Sequence, residues 1–474
     1  MEGADLRPLW EANRWQELPA LALAGAEDAL APQVESWLAA HPPFSGPQWM
    51  CGQEAAFRAL HLALAYALLD RRPPQATLRL LARRIAANPA YGMAQDNNHP
   101  VSEAAGLLIC GMGLNDRRMA LRGSRRLDNA IARLVAPDGS FAQASPAYHR
   151  LLLDTVAVAE WLRRRWGGPG PASLTLARLD SATRWLQPLV CPDTGAMPRI
   201  GHQDGSHLAD IAGAGPDDAR PSLERAARLF CGASAGWRDD RGCAAMGLPA
   251  PKQIMTARAD WQSGGFLGRS SGRARAVLRR GPLRFRPGHA DLLHLDLWDG
   301  PLNLLRDGGT GAYNPADRGW LDEFQGARAH NIVSFDREEP MPRLGPFLFA
   351  RWPRTQELPH GGTVRDWRGR CHAREVFAMP RGFRIEDRLA GTFREALLRW
   401  RLAPGRWVLT ENGVSSERAR LTVTSNVALR FRLTQGRESL AYGEVSALPV
   451  LEVLAGRAAR RLTTWIELPP DEAA

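Results

Sequence analysis

The chain has 474 residues, of which 45% are hydrophobic and 23% charged, so it is a folded protein large enough for two domains and not a disordered one. Its formal net charge is +11, and Lys252 is its single lysine. That basic excess points to a polyanionic partner, and no apolar run reaches the roughly 20 residues that a bilayer span needs.

The N-terminus has no basic start, and Glu27 and Asp28 interrupt its short apolar stretch. The sequence as given therefore predicts no signal peptide and a cytoplasmic location. Six scattered cysteines without a CxxC pair read as buried thiols. Apolar residues at helical spacing predict helices over 54–69, 102–114, 126–135, 148–165, 174–186 and 221–231. Paired inner and outer helices in an arc are expected over 1–250. A linker is placed at 246–263. The period then falls to two, predicting strands over 273–279, 292–298, 302–305, 331–335, 419–425, 428–433 and 461–468. An antiparallel sandwich is expected over 255–474.

Three constellations stand out. Asn98 and His99 precede Pro100 at a helix start, where N–H donors and side-chain amides face an anion. Ser145 and Pro146 open a helix whose first turn holds Tyr148, His149 and Arg150, a cluster with acid–base capacity. If Asp299-Gly300 turns a hairpin, Trp298 faces Pro301 and Asp307 lies opposite Leu292. His289 and Asp307 then share one hairpin end, and His330 opens the next strand. Two His and one Asp suit zinc, with a further position for water or another ligand. His202 lies in a loop fit to line a cleft.

The stretches QDNNHPVSEAAG, DGSFAQASPAYHRLLLD, HADLLHLDLWDGPLNLLRDGGT and ARAHN follow one another across both halves. Together they resemble the heparinase II/III-like family of polysaccharide lyases, most of all the members encoded with bacterial surface-polysaccharide genes. The resemblance implies a multi-domain α + β fold: an incomplete N-terminal α/α toroid, then a C-terminal antiparallel β-sandwich. It implies that Asn98 neutralises a uronate carboxylate, that His99 is a cleft histidine and that Tyr148 is catalytic. It implies structural zinc on His289, Asp307 and His330, no organic cofactor, and a periplasmic setting. His149, Arg150, Gln53 and His202 are the expected substrate contacts. The expected partner is an acidic polysaccharide, not nucleic acid, which has no recognition motif here. One position departs: many members read His-x-His-x-Asp, and Pro287 stands at the first His. His99, His149 or His294 then replaces that function, or Tyr148 suffices, or activity is weakened.

β-Elimination needs donors for the charge that develops on the carboxylate, a base, and an acid for the leaving oxygen. Tyr148 is expected as acid, and as base where proton and leaving group share a face; His99 is the alternative base. A glycoside hydrolase on the same toroid, drawing on Asp96, Glu103, Asp138 or Asp204, and a catalytically weakened polysaccharide-binding protein are the alternatives.

Overall fold

In the computed structural model, which describes residues 5–284 and 286–470, helices dominate up to Ala245 and strands after Trp261. The helices are α1 (Arg7–Glu11), α2 (Glu17–Leu23), α3 (Leu30–Ala40), α4 (Gly52–Leu68), α5 (Gln75–Ala87), α6 (Pro89–Gln95), α7 (His99–Gly113), α8 (Arg117–Leu134), α9 (Pro146–Trp166), α10 (Ser173–Leu186), α11 (Arg220–Ala226) and α12 (Arg241–Ala245). A short α13 (Gly319–Phe324) lies within the strand-rich half. Helices α4, α7 and α9 are buried over nearly their whole length, as inner helices are. Helix α8 is amphipathic and shows its arginines to solvent.

Side chains fix the helix starts. Asp116 accepts from the Met119 N–H at 2.9 Å and opens α8. Ser145 accepts from the Tyr148 N–H at 3.2 Å and opens α9, with Pro146 at the first helical position. Gly167 ends α9 in the left-handed conformation, φ 64°. The expected helix over 126–135 begins earlier, at Arg117. Its first turns carry few large apolar residues because Ala120, Gly123 and Ser124 form the buried stripe, so the sequence signal there is faint.

The strand-rich half holds three main sheets. Five strands follow chain order: β1 (Trp261–Ser263), β2 (Phe266–Ser271), β3 (Ala274–Arg279), β4 (Leu295–Asp299) and β5 (Leu302–Leu305). An eight-stranded sheet is built around Cys371–Met379, Gly382–Ala390 and Arg461–Glu467, and a four-stranded sheet around Glu395–Arg401 and Ser446–Gly456. All their pairings are antiparallel. Between the sheets, Phe383, Ile385, Leu398, Trp400, Leu451 and Leu462 form a closed core. The Trp400 indole donates across it to Thr464 at 3.2 Å.

The hairpin register differs from the expected one. Asp299 pairs with Leu302 and Trp298 with Asn303, and a bulge follows at Leu297. The turn sits at Gly300-Pro301. Proline has no N–H for the ladder, and Asp299 stays in β4, ion-paired with Arg273 at 2.7 Å. Strand β4 also starts at Leu295, three residues later than the expected 292, because Leu293 turns through φ 64°.

Candidate active site between the helical and strand-rich halves

The Ser145 cap aims the first turn of α9 at the junction between the halves. Ser145 also donates to the His202 carbonyl at 2.5 Å, which ties the 202–206 loop to that turn. The Tyr148 hydroxyl donates to Asp204 Oδ2 at 2.9 Å and meets the Tyr313 hydroxyl at 2.9 Å. Asp204 is itself ion-paired with Arg7 at 2.6 Å and accepts from the Ser206 N–H at 2.9 Å. Those partners outweigh its burial and hold the Asp204 carboxyl well below the usual carboxylate range. Burial, and then the Asp204 charge, push the Tyr148 phenol well above its ordinary value. Tyr148 therefore rests protonated.

Helix α7 supplies a second set. Asn98 holds the cap position of this helix, just before His99, and Asn97 Oδ1 accepts from the His99 N–H at 3.0 Å. Asn98 makes no side-chain cap bond. Its amide instead donates to Gln53 Oε1 at 2.6 Å, and Ser102 donates to the same oxygen at 3.0 Å. An amide NH₂ has two donors, so Asn98 keeps one beyond Gln53. Desolvation lowers the His99 imidazole to about 4, against the opposing pull of Glu54. His99 is thus neutral near pH 7, with an available lone pair.

These residues line one cavity of about 390 Å³, together with Arg7, Arg14, Arg286, Pro287, His289 and Phe347. Arg286, from the strand-rich half, donates to Gln95 Oε1 at 2.7 Å and so crosses to the end of α6. Gly288 lets the His202 ring lie against the backbone, since a Cβ there would come within 2.8 Å of it. His202 also packs on His289, Tyr313 and Phe347 with ring centroids 5.0–5.3 Å apart.

His289 in the cavity wall and Asp307 and His330 behind it each offer a ligand atom within 4.8 Å of the others, and all three are buried. His330 Nδ1 lies 2.8 Å from Asp307 Oδ2. Both ring nitrogens of His289 and Nε2 of His330 have no hydrogen-bond partner among the described residues. Unpaired buried imidazole nitrogens around one carboxylate are the donor set a divalent metal satisfies. His294 sits beside them. Its Nδ1 accepts from the Asn331 N–H at 3.0 Å, so Nε2 carries the proton and faces Asp307 Oδ2 at 3.6 Å. Asp296 Oδ2 lies equally far from Nε2, at 3.6 Å, and the nitrogen makes no hydrogen bond to either carboxylate among the described residues.

Three expected cleft residues lie elsewhere. His149 stacks on Trp185 at 4.4 Å and pairs with the Ala182 carbonyl at 2.8 Å; one step along a helix turns it about 100° from Tyr148. Arg150 donates to Ser222 at 2.9 Å, outside the residues lining the cavity. His294 is enclosed near Asp307 and replaces nothing in the cleft. Conversely, the sequence assigns no role to Arg7, Tyr313 or Arg286, and offers Asp204 only as a candidate hydrolase carboxylate. Asp204 lies two residues beyond His202, in the loop expected to line a cleft, but its long-range partners carry no sequence signal. Of the carboxylates a hydrolase would use, Asp204 is spent on Arg7 and Tyr148, Asp96 pairs with Arg133, and Asp138 holds Ser140 and the Gly264 N–H.

Residues 255–455 match the family model described as Heparinase II/III-like, C-terminal. Among solved structures, heparinase III aligns with a TM-score of 0.71 at 15% identity, over 95% of this chain and 75% of that one. A heparan sulfate lyase from Pedobacter heparinus gives 0.63 at 17% identity, over 98% and 77%. Chondroitin AC lyase from Streptomyces coelicolor A3, in complex with chondroitin sulphate, gives 0.56 at 12% identity, over 92% and 70%. No curated protein sequence matches the chain. The shared fold is a helical toroid followed by a β-sandwich. Residues 255–455 thus match the heparinase II/III-like C-terminal family model, and the whole chain shares the fold of these solved lyases.

Proposed function

We propose that the protein is a polysaccharide lyase that cleaves a uronic-acid-containing acidic polysaccharide by β-elimination. The observation that carries this reading is the convergence of Asn98, His99, Tyr148 and Arg286 on one cavity. The remaining Asn98 N–H and the Arg286 guanidinium bind the uronate carboxylate and stabilise the charge that develops on it. Arg286 adopts a left-handed backbone, φ 56°, a strained conformation that loops at functional sites tolerate. Neutral His99 takes the proton beside the carboxylate. Protonated Tyr148 gives its proton to the glycosidic oxygen as the carbon–oxygen bond breaks. A carbon–carbon double bond forms, and solvent returns the proton from His99 to Tyr148. His202, lying on Gly288 beside Pro287, supplies the imidazole that proline at 287 does not. Zinc on His289, Asp307 and His330 would pin the hairpin end to the strand after His330 and take no part in the proton transfers.

Structural relatives named for heparan sulfate and chondroitin sulphate support an acidic polysaccharide as the substrate class. A panel of heparan sulfate, alginate, glucuronan and bacterial exopolysaccharides, read by the ultraviolet absorbance of an unsaturated uronate, tests the reading. At least one substrate should give product, and Tyr148→Phe should lower kcat by about 10²- to 10⁴-fold while keeping the fold. Undiminished turnover in Tyr148→Phe contradicts the assignment.

A further inference from the structure

Helix α8 buries Ala120, Gly123, Ser124, Ala130, Ile131 and Leu134. At about 3.6 residues per turn, Arg118, Arg122, Arg125 and Arg133 share the opposite arc, and all four are exposed. Among the described residues, Arg118, Arg122 and Arg125 make no side-chain ion pair or hydrogen bond. The two acids that α8 and its cap supply are engaged: Asp116 caps the helix, and Asp128 accepts from Thr175 at 2.6 Å and the Ala172 N–H at 3.1 Å. Like charges four residues apart destabilise a helix, and Arg118, Arg122 and Arg126 repeat that spacing. Burial, together with the Arg122 charge, lowers the Arg126 pKa. An anionic chain lying along the helix relieves this repulsion.

The ladder also has a direction. Arg133 pairs with Asp96, which lines the catalytic cavity and lies 3.9 Å from Arg284. From Arg118 to Arg133 the helix rises about 22 Å. The arginines thus run from the cavity mouth outward over the helical half, a length that suits a polymer and not a single sugar.

We propose that the outward face of α8 is a second binding site, outside the cleft, for the acidic polysaccharide chain whose reacting segment occupies the cavity. The identity of the anion rests on the proposed lyase reading. The test uses the full chain carrying Tyr148→Phe, with and without Arg118→Gln, Arg122→Gln and Arg125→Gln together. Probes are heparan sulfate and alginate polymers and the tetrasaccharide of each. Removing the three charges should weaken binding of at least one polymer by about tenfold or more, more so at low salt, with tetrasaccharide binding unchanged. Equal polymer affinity in both proteins overturns the proposal, as does an equal loss for tetrasaccharides. Loss of binding to an RNA oligonucleotide without loss for either polymer assigns the face to nucleic acid and also overturns it. If the chain with Tyr148 intact forms no unsaturated product yet the ladder variant loses polymer binding, the lyase reading fails and the second site stands.

Discussion

Tyr148 is governed by Asp204, a residue more than fifty positions away in sequence. The ionised Asp204 carboxylate accepts the Tyr148 proton in a hydrogen bond at 2.9 Å and raises its pKa, while Arg7, paired with Asp204, lowers it. The Tyr313 hydroxyl meets the Tyr148 hydroxyl oxygen and lowers its pKa, and Arg14 and Glu11 complete the charges around Arg7. Replacing Asp204 with Asn removes the negative charge, so the Tyr148 pKa falls. An acid that must be protonated is then lost at lower pH, and the alkaline limb of the kcat profile moves to lower pH. Alkaline titration of tyrosinate absorbance in a chain with 5 tyrosines reads the same shift without substrate. An unmoved limb and an unmoved titration would remove Asp204 from control of Tyr148. At this level the sequence showed what belongs to one turn: Asn98, His99 and Tyr148 lie beside Pro100 and Pro146. It did not show Arg7 and Asp204, whose pairing spans the chain, and it assigned cleft roles to His149 and Arg150, whose helical phase points them away.

Helices α7 and α8 approach closely because both carry glycine at the contact. A Cβ on Gly123 would lie 2.3 Å from the Leu108 nitrogen, and one on Gly111 would lie 2.3 Å from the Ala120 nitrogen. Those neighbours are backbone and cannot swing aside. Gly123→Ala should cost about 1–3 kcal/mol, read as a lower thermal midpoint; an unchanged midpoint would contradict the close approach. The same small residues explain why the start of α8 escaped the apolar pattern while α9, with its Ser-Pro start, was legible. In the strand-rich half, alternation revealed β3 and β5 but misjudged the β4–β5 turn by two residues in register. The salt bridge that keeps Asp299 in its strand involves Arg273, which a local reading of the hairpin does not include.

Across the whole molecule, the junction is stitched by contacts from both halves. Tyr442 donates to Asp5 at 2.5 Å, the Gln203 N–H donates to Thr310 at 2.7 Å, and Tyr148 meets Tyr313. The His289–Asp307–His330 cluster lies beside this junction, so a metal held there would stabilise the site without entering the reaction. His289→Ala should lower bound zinc, by elemental analysis, and the thermal midpoint together; full zinc retention would refute the ligand set. The net charge of +11 likewise acquires a location, with arginines facing the cavity and lining α8. The central claim is that the site breaks its substrate by elimination and not by adding water. Digesting an acidic polysaccharide substrate in water enriched in heavy oxygen and weighing the products tests this directly. Elimination predicts a new non-reducing end one water lighter than a hydrolysis product, with no heavy oxygen incorporated through bond cleavage. Saturated products that take up one heavy oxygen per cleavage would contradict it.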